Sequence, residues 1–379
     1  MVPVIHHPDY RAYCFGPDHP FSPLRQQLLW SLLDALGQAP EAIEPAPATR
    51  ADLETVHHPD LIDRVEAASS GTPPPDAERF GLGTPDVPVF AGMDAAARLL
   101  VGGTVHAVQH VLDGHARQVL QLGGGLHHAR HRLAAGFCIY NDLSVAIRRA
   151  TSAGRRVAYI DIDVHHGDGV QWIHYEEDTV LTISLHEAGQ YLFPGTGHVH
   201  ELGRDFGTGF SFNVPLQPGT QDDSYREAFE RVVPQALDWF RPDLLVVQCG
   251  ADAHWQDPLA DLLLTTHTYA WLFRALRALA DEYAGGRAVF TLGGGYDPDA
   301  TVRVWALLYL ILQDLDLPEA LPAAWLAEWQ GHPALQGVTL RETLHDAPRR
   351  FAVHDAEAIA RQNREVCRRL MEMAVRYWY

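Results

Sequence analysis

An α/β fold with a central, mostly parallel sheet flanked by helices is what this sequence predicts, on three observations. Short apolar runs such as "RVAYIDIDV", "TVLTISLH", "DLLVVQCGAD" and "AVFTLGGG" alternate with segments of helical period. Apolar residues recur three and four apart over residues 24–36, 94–112, 142–152, 224–240, 268–283, 301–312 and 355–377. Ionisable residues and glycines collect just behind the apolar runs: "QVLQL" leads into "GGGLHH", "VAYI" into "DIDVHHGDG", "LLVVQC" into "GADAHWQDP" and "AVFTL" into "GGGYDP". Open parallel sheets bind ligands beyond the carboxyl ends of their strands, so four strand ends point at one site. Residues 69–90, rich in Pro, Gly and Asp, read as a long functional surface loop rather than a linker.

At 379 residues, length alone admits one domain or two. An apolar content of 47% with 20% charged residues supplies a sizeable core. The net charge is −19, and all 29 basic residues are Arg, because the chain contains no Lys. That balance argues against nucleic acid as a partner, since phosphate binding needs clustered cations, and it suits a basic ligand such as a lysine-rich tail or a polyamine. Ordinary solubility charge is the stronger account of it. Cys14, Cys138, Cys249 and Cys367 are scattered, without a Cys-x-x-Cys pair, which fits a reducing cytoplasm. The opening "MVPVIHHPDY" has no secretory pattern and no apolar run is long enough to span a bilayer, so no membrane role is expected. Oligomeric state is not legible.

Within "AYIDIDVHHGDGV", the strand period of two puts Asp161, Asp163 and His165 on one face. A carboxylate and an imidazole two apart at a strand end can reach one divalent ion, and Asp252, behind another apolar strand, is the natural third ligand. Two Asp and one His would neutralise the ion and leave a fourth position open, as in catalytic rather than structural zinc sites. The competing reading, in which these residues only cap a turn or the next helix, loses weight with so many ionisable groups together. His127 and His128 follow a triple glycine and suit proton transfer if something orients each ring; Asp161 and Asp168 can do so. Tyr296, behind another triple glycine, can donate to an oxyanion, although a Tyr packed in a loop is the default. His166 has no evident role, and no nucleotide-binding glycine motif is present.

The segments "GGGLHHARHRLAAGFCIYND", "YIDIDVHHGDGV", "TISLHEAGQYLFPGTG", "VVQCGADAHWQDPL" and "LGGGYDP" resemble, in order, the signature segments of the zinc-dependent histone deacetylase family. "FGPDHPFSPLR" and "FGLGTPDVPVFAGM" extend the resemblance from about residue 15 to about 320, most similar to the bacterial acetoin-utilisation deacetylase branch. The resemblance implies a single arginase-like domain over residues 1–379 with an eight-stranded sheet and a C-terminal helical part over 320–379. It implies zinc on Asp163, His165 and Asp252, His128 oriented by Asp168 as general base and acid, and His127 paired with Asp161 for electrostatic support. Tyr296 would polarise the acetyl carbonyl. Gly136, Phe137 and Phe193 would line a tunnel with Leu259 at its mouth, Asp86 would hold substrate at the rim, and Arg25 and Cys138 would border an acetate-release cavity. An inner potassium site matches Asp161, Asp163, His165, Ser184 and Leu185, and an outer one falls near His174, Glu177 and Val180.

The activity implied is hydrolysis of N-acetyl-lysine in a protein or peptide, at a linear amide bond, by attack of metal-bound water. A small acetylated amine such as an acetylpolyamine is the rival substrate. A two-manganese ureohydrolase of the same fold would need Asp where Gly167 stands, although Asp257 resembles its acid-rich neighbourhood. An inactive binding protein would have lost catalytic residues that are all present here. "ARHRLAAGFC" lacks the Lys and Glu usual in the family, a departure expected to alter only the surface, and the spacing of "GTPDVP" differs from the eukaryotic pattern.

Overall fold

The computed structural model describes residues 1–335, 337–349 and 351–378. Its eight strands are β1 (Val4–Ile5), β2 (Ala42–Ile43), β3 (Gln118–Gln121), β4 (Val157–Asp161), β5 (Val180–Glu187), β6 (Ser211–Leu216), β7 (Leu244–Gln248) and β8 (Ala288–Thr291). They form one sheet in the order β2-β1-β3-β8-β7-β4-β5-β6, with every neighbouring pair parallel. Central strands β4, β7 and β8 are buried along their whole length, which is why they read as continuous apolar runs rather than alternating ones. The four strands whose ends carry the clustered chemistry, β3, β8, β7 and β4, are contiguous in the sheet. The chain crosses over β8 and β7 between β3 and β4, and the site lies at that switch.

Among the described residues, eleven helices surround the sheet: α1 (Leu24–Ala35), α2 (Arg50–Glu54), α3 (Pro59–Ala68), α4 (Met93–Leu112), α5 (Asp142–Ser152), α6 (Asp168–Ile173), α7 (Asp222–Phe240), α8 (Thr266–Tyr283), α9 (Pro298–Leu312), α10 (Ala323–Trp329) and α11 (Ala356–Ala374). Every long helical segment predicted from periodicity is present. Helix α4 starts one residue earlier than the apolar period suggests, and α7, α8 and α9 start two or three earlier because their first turns are polar; α9 opens with a Pro, and the Asp297 side chain accepts the Ala300 N–H at 2.8 Å as its cap. The predicted 355–377 helix ends at Ala374 and tightens into a 3₁₀ turn, Val375–Tyr377. Residues 69–90 are irregular apart from one 3₁₀ turn, Ala77–Phe80. Periodicity missed β1 and β2, which are two residues each, and β6, whose Pro215 is tolerated because β6 is an edge strand.

The C-terminal helix α11 packs on β6 and α7, and its Cys367, Leu370 and Ala374 join the main core. Among the described residues no helix is long and apolar enough to cross a membrane. Surface cations are guanidiniums in multiple pairs; Arg50 alone reaches Glu54 at 2.7 Å, Asp63 at 2.8 Å and Glu66 at 3.2 Å.

Helix α9 is buried from Asp299 to Leu312 and carries a buried charge, Arg303, on its axis. Arg303 pairs with Asp299 at 2.9 Å and Asp346 at 3.0 Å, and Asp346 also pairs with His254 at 2.8 Å and accepts the Thr266 N–H at 2.9 Å. This network staples the chain after α10 to the loop behind β7. Burial pushes the Asp346 carboxyl up, but His254 and Arg303 outweigh it and hold the group well below the usual carboxylate range. A depressed folded-state pKa gives stability that is complete above the unfolded value of about 3.9 and is lost as pH falls. Asp346→Ala, which strands Arg303 and His254, is expected to cost about 3–5 kcal/mol at neutral pH. Urea unfolding at pH 7 and at about pH 3, below the unfolded carboxyl value, should show a lower midpoint for the variant at the same slope, with the difference narrowing in acid.

Candidate active site

Beyond Asp161, the end of β4, the chain stays extended, so Asp163 and His165 project from the same side into the crevice, where Asp252 arrives behind β7. His165 Nδ1 stands 3.2 Å from Asp163 Oδ1 and 3.1 Å from Asp252 Oδ2, and the three ligand atoms lie within 4.8 Å of one another. Ligand bonds of about 2.0–2.2 Å around a tetrahedral zinc ion give ligand–ligand edges of roughly 3.3–3.6 Å, so the set fits such an ion with small movements. The outer carboxylate oxygens are already held. Asp163 Oδ2 accepts from Gln248 Nε2 at 2.7 Å and Gly294 N–H at 2.9 Å, and Asp252 Oδ1 from Val164 N–H at 2.9 Å. All three side chains are buried, and burial together with Asp163 pushes Asp252 up. Burial opposes charge on His165, but the two carboxylates raise it to about 10, so a cation is what this pocket asks for.

The His pair arrives from the end of β3. Its triple-glycine turn is fixed by Asp142, at the start of α5, which accepts Gly125 N–H at 3.0 Å and Leu126 N–H at 2.7 Å. Asn141 caps α5 through Ser144 N–H and donates to the carbonyls of His127 at 3.3 Å and Ala129 at 2.9 Å. His57 completes the cradle, accepting Asn141 N–H at 2.9 Å and donating to the Arg130 carbonyl at 3.1 Å. On this platform His127 Nδ1 donates to Asp161 at 2.8 Å and His128 Nδ1 to Asp168 at 2.7 Å, with ring centroids 4.0 Å apart.

The two rings differ in charge. Burial pushes His128 down to about 4, helped by the neighbouring His127, despite its bond to Asp168. Burial opposes His127 as well, but Asp161 and Asp163 raise it to about 9. Two titratable groups with divergent pKa values are a signature of acid–base work. Arg130 engages the same carboxylate as His128, its guanidinium reaching Asp168 Oδ2 at 2.8 Å and 2.5 Å. The departure in "ARHR" therefore reaches beyond the surface. Gly136, at φ +54°, lies against His128; a Cβ there would fall 2.1 Å from the ring.

Tyr296 stands edge-on to His165 with centroids 6.2 Å apart. Burial, then Asp252 and Asp163, pushes its phenol well above 10, so it remains a donor. Its turn is held from both sides. Arg25 donates to the carbonyls of Gly293 at 3.1 Å and Gly295 at 2.9 Å, and Asp257 accepts Tyr296 N–H at 2.7 Å and Leu259 N–H at 3.0 Å. Phe137 packs on Tyr296 at 5.7 Å and Phe193 on His128 at 5.0 Å, so the two aromatics flank the crevice, while Leu259 and Tyr191 lie exposed at the surface. Asp86 accepts Gly136 N–H at 2.6 Å and so anchors this wall. A hollow behind the site is lined by Arg25, Tyr10, Tyr13, Phe21 and Trp305. Cys138 is not in that lining; its thiol turns to the Gly136 carbonyl at 3.1 Å.

Asp161 and Ser184 are register partners on β4 and β5, with Leu185 next along the strand. Near the outer cation position, Glu177 is engaged by Arg148 at 2.6 Å and by His174 at 3.3 Å. Gly167 leaves no room for a second-metal aspartate, since a Cβ there would fall 2.2 Å from Asp161 Oδ2. His166, left without a role by the sequence, bonds Thr196 at 2.9 Å and Gln171 at 3.1 Å and so ties the loop after Phe193 to α6. Asn141, Asp142, His57 and Gln248 escaped sequence reasoning, and Asp257 was noted only for its resemblance to an acid-rich metal neighbourhood. The signal for Asp142 and Gln248 was an acid or amide where an apolar element begins or ends; none was visible for His57.

A family model described as histone deacetylase domain matches residues 19–312. The acetoin utilization protein AcuC of Bacillus subtilis is 43% identical over 331 residues, covering 86% of each chain. AcuC of Staphylococcus aureus (strain MSSA476) is 37% identical over 324 residues, covering 84% of this chain and 83% of that protein. A crystal structure of a histone deacetylase homologue complexed with SAHA superposes with a TM-score of 0.85 at 30% identity, covering 99% of this chain and all of the other. A homologue from Aquifex aeolicus gives 0.83 at 29% identity, covering 96% and 99%.

The ligand cluster makes a direct prediction about the metal. Zinc added to metal-free protein at about 100 times its Kd should raise stability by about 2.7 kcal/mol, read as a higher thermal midpoint. Asp252→Ala should flatten that response; an undiminished shift would remove Asp252 from the ligand set.

Proposed function

The chain belongs to the histone deacetylase family, and from that premise we propose that it hydrolyses the amide of N-acetyl-lysine in a protein or peptide, releasing lysine and acetate. The observation that carries the reading is the pair of His–Asp couples beside the Asp163, His165 and Asp252 cluster. Zinc held by that cluster would polarise the acetyl carbonyl and lower the pKa of a water molecule. His128, whose Nδ1 is engaged by Asp168, presents Nε2 to accept a proton from the attacking water and return it to the leaving amine. The charged His127 steadies developing negative charge, and the Tyr296 hydroxyl donates to the carbonyl oxygen as it gains that charge. An inner potassium ion among Asp161, Asp163, His165, Ser184 and Leu185 would add a fixed positive charge beneath the site. Four free cysteines suit reaction in a reducing cytoplasm.

Phe137 and Phe193 would grip an aliphatic acyl-lysine stem, and Asp86 would meet the substrate backbone. Exposed apolar side chains at Tyr191 (58%), Phe193 (46%) and Leu259 (37%) give a broad rim, which favours a protein or peptide over a small acetylated amine. The clash that any side chain at Gly167 would create with Asp161 disfavours a two-manganese ureohydrolase.

Turnover of acetyl-lysine peptides, free acetyl-lysine and acetylpolyamines on one preparation tests the substrate: peptides should be fastest, and a faster acetylpolyamine would transfer the reading to small amines. His128→Ala should abolish turnover with zinc retained, whereas zinc loss would make the ring a ligand. Tyr296→Phe should lower kcat about 10²–10³-fold with the fold intact, the loss of one oxyanion donor; wild-type kcat would take the hydroxyl out of the mechanism.

A further inference from the structure

The opposite end of the sheet carries a cluster of histidines that the deacetylase reading does not use. Helix α4 ends with Gly114 at φ +76°, and the backbone closes by Gly114 N–H to the Val111 carbonyl and His115 N–H to the His110 carbonyl, both 3.1 Å. These are the two bonds of a Schellman cap, in which the residue after the glycine folds back over the last turn. The contact made there is usually apolar. Here it is imidazole on imidazole, with His110 and His115 centroids 5.0 Å apart, and His106 lies one turn back at 6.2 Å from His110. A surface hollow of about 380 Å³ is lined by these three rings together with Gln109 and Asp113.

Two routine uses of histidine at a helix end do not apply. The carbonyls of His110 and Val111 are already taken by the backbone cap, so no ring is needed to satisfy them. Burial and the flanking His115 and His106 lower the His110 pKa, which favours the neutral, ligating form over a cation that answers the helix dipole. Among the described residues, none of the three rings hydrogen-bonds to the protein, whereas His57, His127, His128, His166 and His254 all do. Two imidazoles on one ion place their centroids roughly 4.5–5.2 Å apart, given metal–nitrogen bonds of about 2.1 Å. The His110–His115 pair already has that spacing, and His106, 6.2 Å from His110, has to swing by about 1 Å or more toward the pair through a rotamer change. Only the Asp163, His165 and Asp252 cluster is drawn together beforehand among the described residues, so the ion itself would complete this second set.

We propose that His106, His110 and His115, with Asp113 as a further donor, bind a divalent transition-metal ion of the zinc, nickel and copper class. The ion clamps the end of α4 to the turn that enters β3, at the amino edge of the sheet, and acts on stability rather than on the reaction. Protein equilibrated with excess zinc and desalted, analysed for bound metal, tests it. His110→Ala should hold one zinc fewer than the unchanged chain and lose the matching part of the zinc-induced rise in thermal midpoint. His115→Ala, in an exposed turn where folding is not at stake, should behave the same way. Unchanged stoichiometry in both variants, or an unchanged chain that never exceeds one zinc, overturns the proposal, and neither readout depends on whether the enzyme deacetylates lysine.

Discussion

Asp161, Asp163 and Asp252 are packed together where water does not reach, and this enforced repulsion is the constraint that the rest of the structure answers. Buried carboxylates so close cannot all ionise without compensation, because the attraction of water has been replaced by like charge. Compensation comes in layers. His165 stands between Asp163 and Asp252, His127 answers Asp161, and Gln248, Gly294 and Val164 donate to the oxygens that face away from the crevice. An all-parallel sheet makes this possible, since it delivers the ends of β3, β8, β7 and β4 side by side at one edge.

The same electrostatics separates two chemically identical rings. Burial, then the neighbouring His127, pushes His128 down, whereas at His127 the carboxylates of Asp161 and Asp163 outweigh burial and push it up. Geometry is held by groups that never meet a substrate. Asp142 and Asn141 set the glycine turn below the pair, and Arg25 and Asp257 grip the Tyr296 turn from opposite sides. Because Asp257 binds the Tyr296 and Leu259 amides with its two oxygens, an interior donor and the rim move as one piece.

The ionisable core of the site was legible because its residues follow apolar strands in the chain, where a charge has no structural excuse. Asp252 needed only its place behind β7; the pairings of Asp161 and Asp168 needed only that a His pair arrive from another strand end. What escaped was whatever acts across long separations in sequence. His57 reaches Asn141 over 84 positions and carries no local pattern; Arg25, which reaches Gly295 over 270, was placed beside the inner hollow only by the family resemblance. Arg130 was misjudged for the same reason: its partner, Asp168, lies 38 residues on. Strands β1, β2 and β6 were lost because two residues have no period and Pro215 reads as a breaker.

The arginine-only surface has a bearing on regulation. A guanidinium such as that of Arg50 or Arg368 holds several carboxylates at once, as a fork rather than a point charge. It also offers no ε-amine. A member of a deacetylase family thus presents no lysine side chain of its own to an acetyl donor. With no ε-amine to be modified, the charge of its side chains stays the same however heavily the surrounding proteins are acetylated.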